Sequence, residues 1–183
     1  MKPFLLIILI PLTYLAFSGC SNSVDEVNEV TATRDTLPNE SAYDVVIHYS
    51  EEGLTQFTLE TKQLDRYNLA SPYIEFPKGL FVRFYDSIGG VKSELRANYA
   101  ISYEGKKRME ARNDVEITNY EREQTLNTEH LIWDQHKHKI FSEEFVRITT
   151  KEHIIFGEKG FESDEEFNQW TIRKISGKLD ITS

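Results

Sequence analysis

The chain has 183 residues with 21 basic and 30 acidic side chains, so its formal net charge at pH 7 is −9. That length suffices for one domain with a sizeable core, and the negative charge argues against nucleic acid or an anionic membrane surface as the main partner. Cys20 is the sole cysteine, which excludes an internal disulfide and leaves the apolar core to stabilise the fold.

The N-terminal segment, residues 1–19, is predicted to be a secretory signal peptide. Lys2 supplies a positive charge, residues 4–17 are almost wholly apolar, and small residues stand directly before Cys20. The apolar run is short for a transmembrane helix and contains Pro11. The junction resembles a bacterial lipobox, so Cys20 is the predicted lipidation site, and its acyl chains would anchor the protein to a bilayer.

The lipidated cysteine and a flexible tether occupy residues 20–42 in this interpretation, because the segment is polar, acidic and poor in apolar side chains. A β domain is predicted over residues 43–183. It begins with a hairpin at 43–61, where apolar side chains alternate on either side of a Glu-Glu-Gly turn. Residues 63–71 are predicted to be irregular.

Two further strands are predicted before the centre of the chain. The first is a short edge strand between Pro72 and Pro77, since proline cannot donate a hydrogen bond to a central ladder. The second covers residues 80–85 and is followed by a turn at 86–90, which is rich in glycine and polar residues.

The most informative segment is a repeat between residues 95 and 148. Each copy contains two short runs with apolar or small side chains at every second position, joined by a mainly polar link at 112–114 or 143–145. This period predicts strands with one apolar and one polar face, and such units stack to form one continuous apolar interior. The repeated positions are Leu95, Ala97, Ala100, Met109, Ala111, Val115 and Ile117, which recur 31 residues later as Leu126, Thr128, Leu131, Ile140, Ser142, Val146 and Ile148.

The C-terminal part continues the strand pattern. Residues 155–161 echo part of the repeat a third time, and residues 164–168 are predicted to form an acidic loop or one helical turn. Closing strands are predicted from Trp170 and over residues 178–182. No helix of ordinary length is predicted after the signal peptide, and many short strands separated by turns indicate an all-β sandwich, barrel or jelly roll.

The polar residues indicate no reaction chemistry. Acidic pairs at 143–144 and 165–166 occupy predicted loops and are interpreted as solvated surface. The motif His136-x-His138 could bind a metal, but no second ligand pair has a matching spacing, so we interpret both histidines as exposed turn residues and expect no metal site. We see no nucleophile constellation, phosphate loop or CxxC motif, which predicts that the protein is not an enzyme. An alternative hypothesis is a lipoprotein enzyme, whose site would use His130, His136 or Asp134.

Residues 74–181 resemble the LptC family, the periplasmic component of lipopolysaccharide export, whose repeat also occurs in LptA and LptD domains. The resembling phrases are 95–100, 109–117, 126–133 and Ile155-x-Gly157-x-x-Gly160-Phe161, in that order. The resemblance implies a twisted, partly open β-jelly roll whose interior holds the acyl chains of lipid A and which needs no cofactor. The best-known members carry an N-terminal transmembrane helix, whereas a lipid on Cys20 would serve here.

The same resemblance implies partners and a location. Members of the family accept lipopolysaccharide from an ABC transporter in the inner membrane and pass it to the next, LptA-like jelly roll, joining edge to edge by strand addition. We therefore expect a periplasmic protein that is lipid-anchored at the inner membrane. Its 43–61 edge would face the transporter and its 170–182 edge the next jelly roll. The chain encodes no energy source, so a partner would drive transport.

The apolar faces of the strands allow two interpretations. A closed core would make the protein a structural adaptor that bridges envelope components without binding lipid. An open groove would bind acyl chains by burying their CH₂ groups, at about 0.8 kcal/mol for each. The family resemblance favours the groove. Its predicted lining residues are Ile74, Phe76, Val82, Phe84, Leu95, Met109, Ala111, Val115, Ile117, Ile140, Val146, Ile148 and Phe161.

Overall fold

The computed structural model describes residues 37–176, which form one antiparallel sheet of twelve strands. The predicted signal peptide, Cys20, most of the tether and the predicted strand at 178–182 lie outside the described residues. Within the described part of the chain the single helical element is a 3-10 turn, Glu104–Lys106. The strands are β1 (Glu40–Glu51), β2 (Leu54–Tyr67), β3 (Tyr73–Phe76), β4 (Leu80–Tyr85), β5 (Val91–Ala97), β6 (Tyr99–Tyr103), β7 (Arg108–Asn119), β8 (Gln124–Asp134), β9 (Lys139–Ser142), β10 (Val146–Thr149), β11 (Ile154–Asp164) and β12 (Trp170–Ser176).

The predicted hairpin is confirmed as the pair β1 and β2. Its turn contains Glu52 at φ 52° and Gly53 at φ 83°. Two successive left-handed residues give the turn a twist that matches the right-handed twist of the flanking strands. The first strand begins at Glu40, three residues before the predicted start of the hairpin.

β2 is longer than predicted, and the expectation of irregular structure from residue 63 is wrong for residues 63–67. This part of β2 pairs with β1 on one side and with β3 on the other. Its side chains are mostly polar, so no alternation marks it as a strand. Hydrogen bonds to the Asp65 carboxylate hold it instead, from Ser41 Oγ over 2.6 Å and from Gln63 Nε2 over 2.8 Å. Pairing on both sides therefore outweighs the weak local pattern.

Four of the five longest strands, β2, β7, β8 and β11, pair with different neighbours along their two halves. β2 pairs first with β4 and then with β3, and β7 pairs first with β6 and then with β5. The first halves of β8 and β11 pair with β10, and their second halves pair with β9. The sheet is thus creased across its long strands into two arms. We call them arm A, which includes β4, β5 and β10, and arm B, which includes β3, β6 and β9. This arrangement confirms the predicted all-β jelly roll.

The crease in β7 is a bulge made by two residues with a left-handed backbone. Asn113 and Asp114 have φ of 63° and 54° and interrupt the pairing of β7 with β8. The amide of Asn98 donates to Asn113 O over 3.0 Å. The predicted polar link at 112–114 therefore bends one continuous strand, whereas the corresponding link at 143–145 separates β9 from β10.

Gly79 brings the backbones of two neighbouring segments close together at the crease. It has φ +78°, and a Cβ built there would lie 2.3 Å from Ala97 O. Thr61 Oγ1 donates to Gly79 O over 2.7 Å and so fixes the glycine beside the middle of β2. Both the conformation and the close approach require glycine at this position.

The pairing explains the third copy of the repeat. Val146 lies between Thr128 of β8 and Gly157 of β11, which are equivalent positions of the repeat. Ile148 lies in the same way between Leu126 and Ile155. β8 and β11 therefore flank β10 as matching copies.

Two clusters of buried apolar side chains lie between the arms. Each cluster draws residues from both arms, so the arms pack face to face with the apolar side of the repeat turned inward. The first cluster contains Ala97, Ala111, Val115, Ile117, Leu126, Leu131, Ile140, Val146, Ile148, Phe161, Phe167 and Ile172, and the second contains Leu59, Phe76, Leu80, Val82 and Ala100.

Candidate functional site

An unbroken apolar stripe crosses the inward face of arm A. Its members are direct cross-strand partners on seven adjacent strands, and Ile47 of β1 extends the row by one more. With strands about 4.8 Å apart, the seven-strand stripe is roughly 29 Å long. It consists of Leu59, Val82, Leu95, Ile117, Leu126, Ile148 and Ile155.

The inward face of arm B has smaller side chains in its centre. Phe76 pairs with Ala100, which pairs with Ala111. In the neighbouring row Ser102 lies between Ile74 and Met109. Alanine and serine are smaller than the branched residues of the stripe, but Ala100 and Ala111 are buried, at 0% and 4% exposure, so neighbouring atoms already cover them.

The structure brings all thirteen predicted lining residues together in the two clusters or directly against them. Nine are buried: Phe76, Val82, Ala111, Val115, Ile117, Ile140, Val146, Ile148 and Phe161. The other four, Ile74, Phe84, Leu95 and Met109, are half-buried. All four half-buried residues pack against the second cluster, and Leu95 also packs against the first.

Four aromatic side chains form a chain of contacts from edge strand β1 to arm B. Ring centroids are 5.0 Å apart for Tyr49 and Phe57, 5.9 Å for Phe57 and Phe84, and 6.5 Å for Phe84 and Trp133. Tyr49 is 47% exposed and the other three are half-buried. We call these four residues the open end of the interior. The sequence analysis missed Tyr49, Phe57 and Trp133 as lining residues.

Residues 164–169, which we call the strap, form the loop between β11 and β12. Both ends of the loop lie in arm B, where Ser163 pairs with Trp170, and its tip contacts arm A. Asp164 pairs with Lys139 in arm B. From arm A, Asn119 Nδ2 donates to Glu166 O over 2.9 Å, and Lys92 Nζ lies 2.5 Å from Glu166 Oε2. The strap therefore joins the arms at the strand ends far from the crease.

Phe167 is the one apolar residue of the strap and lies wholly inside the first cluster. It has no exposed surface, and its ring is 5.9 Å from that of Phe161. Gln124 Nε2 donates to Phe167 O. The backbone of Phe167 has a φ of 54°, which a bulky residue seldom adopts. The segment was predicted as a loop, and a lone phenylalanine among acidic residues was the signal that it turns inward.

Of the acidic pair of the strap, Glu166 is exposed, as predicted, and Glu165 is half-buried. Both carboxylates have partners on the arms. Glu165 Oε1 accepts from Trp133 Nε1 over 3.0 Å and lies 3.2 Å from His138 Nδ1. The hydrogen bond from Lys92 lowers the pKa of the Glu166 carboxyl below its ordinary value, although partial burial opposes the shift. The acidic pair at 143–144 is exposed, as predicted.

The outer face of arm B carries a buried carboxylate beside two arginines and a histidine. Glu110 lies 3.2 Å from Arg108, 2.7 Å from Arg112 and 3.3 Å from His130. Burial by itself raises the pKa of Glu110, but the hydrogen bond from Arg112 and the charges of both arginines outweigh burial, so the pKa is lowered. The cluster ties neighbouring strands together and faces away from the apolar interior.

The histidines of the hairpin tip, His136 and His138, are exposed turn residues, as predicted. Among residues 37–176, no three His, Cys, Asp or Glu side chains are grouped so that they could hold a metal ion. Over the same residues no helix is long and apolar enough to cross a membrane.

Two strands of the described sheet pair on one side only. β1 pairs with β2 alone, and β12 pairs with β11 alone. Tyr43 and Val46 of β1 are 67% and 55% exposed, and Ile175 of β12 is 61% exposed. Apolar side chains and unpaired backbone groups at a sheet edge are the features that accept a further strand.

A comparison with protein families gives one result that agrees with this geometry. The family model described as lipopolysaccharide-assembly, LptC-related, matches residues 4–163. A comparison with curated proteins gives no match. The matched range includes both arms, the open end and all thirteen predicted lining residues.

Proposed function

Because the chain belongs to the LptC-related lipopolysaccharide-assembly family, we propose that its interior is a groove for the acyl chains of lipopolysaccharide. Membership makes the protein a component of lipopolysaccharide transport in the cell envelope, a role that requires no catalysis. The observation that carries the proposal is the apolar stripe of arm A, which runs across seven strands opposite the small side chains of arm B.

The driving force would be the burial of acyl chains between the arms. Each CH₂ group that leaves water contributes about 0.8 kcal/mol, so a few methylenes already give useful binding. The small side chains of Ala100 and Ala111 would let an acyl chain lie close to the backbone of arm B once the arms part. A groove that binds acyl chains by burial alone would release them to an equally apolar surface on the next carrier.

The acyl chains would enter at the open end. Phe84 and Met109 are half-buried and pack against the second cluster, so a ligand reaches them without displacing fully buried side chains. Ile148 and Phe161 in the first cluster have at most 2% exposure. A ligand therefore contacts Phe84 before it contacts the first cluster.

We further propose that lipopolysaccharide arrives from an ABC transporter in the inner membrane and leaves to an LptA-like jelly roll. Among the described strands β1 and β12 pair on one side only, which supports this proposal, since each could pair with a strand of another protein. A lipid on Cys20 would hold the protein on the periplasmic side of the inner membrane. The mass of the mature N-terminal peptide, in the wild type and in Cys20→Ser, tests the anchor.

A second candidate function is a closed adaptor that bridges envelope components without binding lipid. The nine fully buried lining residues and the strap favour it, since both are what a closed core would show. The two functions differ in one observable, which is lipid contact at the half-buried residues of the open end.

Photo-crosslinking in cells tests the groove. A photoreactive phenylalanine analogue is placed at Phe84, which faces inward on β4, or at Phe81, which lies on the outer face of the same strand under Arg83, 4.5 Å from its guanidinium carbon. The groove predicts a lipopolysaccharide adduct at Phe84 and none at Phe81. No adduct at either position, with both proteins folded, would support the closed adaptor and overturn the groove.

A further inference from the structure

One residue of the open end, Trp133, is hydrogen-bonded to the strap, and this bond connects the two. Trp133 takes part in the aromatic contacts of the open end through Phe84, 6.5 Å away. The same indole donates its Nε1–H to Glu165 of the strap over 3.0 Å. A ligand that packs against this ring therefore acts directly on a hydrogen bond of the strap.

We propose that the strap is a gate, which keeps the first cluster closed until lipid at the open end releases it and takes the place of Phe167. The inference rests on the proposed function, because it concerns the regulation of the same groove. It divides the groove into an open part at Phe84 and a gated part at Phe161 and Ile148.

The strap is attached in a way that allows it to leave without unfolding the sheet. Only Asp164 belongs to a strand ladder. Side chains of the arms hold the rest, chiefly through bonds from Asn119 to Glu166 O and from Gln124 to Phe167 O. The loop's own amides also donate to Asp164. The left-handed backbone of Phe167 is strained and is relieved on release. The sheet pairs on either side do not depend on these contacts.

The free-energy cost of releasing the strap is offset because one apolar group replaces another in the first cluster. Phe167 fills part of the first cluster beside Phe161. If its side chain left and nothing replaced it, a cavity would remain. An acyl chain that enters at the same time keeps the space filled. The gate is therefore closed without lipid and open with it.

Hydrogen exchange on the full-length chain in detergent micelles tests the gate, with lipopolysaccharide in the micelles or with micelles alone. The amides of Phe167 and Asn168 donate to Asp164 and report the closed strap. We expect lipopolysaccharide to raise their exchange rates at least tenfold, while the amides of β4 and β5 keep theirs. The chain in these samples carries the photoreactive phenylalanine analogue at position 84, so adducts there report occupancy.

The outcomes separate the two proposals. Adducts at Phe84 with unchanged strap exchange would overturn the gate and leave the proposed function intact. An absence of adducts at Phe84 would overturn the proposed function, and the gate with it. Adducts together with faster strap exchange support both.

A matched pair of variants tests the gate from the protein side. Asn119→Asp keeps the shape of the side chain but points an oxygen at Glu166 O, whereas Asn127→Asp makes the same change on the outer face of β8, where Asn127 binds Glu116. We expect Asn119→Asp to raise lipid adducts of an aliphatic diazirine residue at Ile148 several-fold and Asn127→Asp to leave them unchanged. Equal adduct yields would overturn the gate. Lys92→Gln, which removes the partly exposed ion pair to Glu166, is expected to act in the same direction and provides the test should Asn119→Asp not fold.

Discussion

Phe84 of β4 and Trp133 of β8 meet edge to face across the interior, with ring planes 81° apart. Phe84 belongs to arm A and Trp133 to arm B, so the pair joins the arms at the open end. An aromatic pair of this kind contributes about 0.5–1.5 kcal/mol beyond the area it buries. A ligand can displace a contact of this strength. The position of the pair marks where the ligand would enter.

Replacing Phe84 should weaken lipid binding more than stability. Phe84→Ser removes half-buried apolar surface, and we expect it to lower the amount of lipopolysaccharide captured at least fivefold and the free energy of unfolding by about 1–2 kcal/mol. Phe81→Ser, on the outer face of the same strand, is the control. Lipid that co-purifies with each variant and denaturant unfolding provide the measurements. Equal capture by the two variants would contradict a groove at Phe84.

A charge in the first cluster should unfold the domain. Ile148 has no exposed surface, so Ile148→Asp places a carboxylate among apolar side chains and is expected to cost more than about 4 kcal/mol. Arg147 is exposed on the other face of the same strand, and Arg147→Asp should stay within about 0.5 kcal/mol of the wild type. Circular dichroism during urea unfolding distinguishes them. A folded Ile148→Asp protein would show that this part of the interior is not closed.

Acid should destabilise the domain through Glu110. The pKa of Glu110 is lowered in the folded protein, so its contribution is fully present above the unfolded pKa, near 4.5, and is lost as the pH falls through the lower folded value. We expect the free energy of unfolding to decline below about pH 4.5. Glu110→Gln, which removes a carboxylate bound by Arg108 and Arg112, should cost about 1–2 kcal/mol at pH 7 and flatten the decline. If Glu110→Gln kept the wild-type pH profile, the acid sensitivity would arise from other titratable groups.

Glycine at position 79 should be irreplaceable. A Cβ there would lie 2.3 Å from Ala97 O, and the backbone is left-handed, so Gly79→Ala is expected to cost at least about 2 kcal/mol. Gly105 in the 3-10 turn has open space around its Cα and no positive φ. Gly105→Ala should therefore be near neutral. Thermal unfolding of both proteins would show whether the crease depends on Gly79.

The β12 edge should matter for hand-over but not for folding. Ile175 is 61% exposed, and Ile175→Lys places a charge where a neighbouring strand would pack. We expect at least a tenfold weaker affinity for an LptA-like jelly roll with no loss of stability. Lys174→Arg, beside it, keeps its charge and is the control. Binding is measured by titration with the purified partner, and an unchanged affinity would exclude β12 as the docking edge.

Local pattern in the sequence was enough to predict which side chains face inward. Alternation depends only on the geometry of an extended chain, and so all thirteen predicted lining residues lie in or against the core. The same pattern could not show the length of β2 beyond Gln63, because polar residues on both faces carry no alternation and the strand exists through its partners.

By itself, therefore, the sequence determined an all-β chain with a repeated apolar face. Only the tertiary structure decided where that face is closed. The bulge at Asn113 and Asp114 bends β7 so that its halves enter different arms, and Phe167 is buried because Asn119 and Gln124 hold the strap across both arms. These contacts join residues far apart in the chain, and no local period reports them.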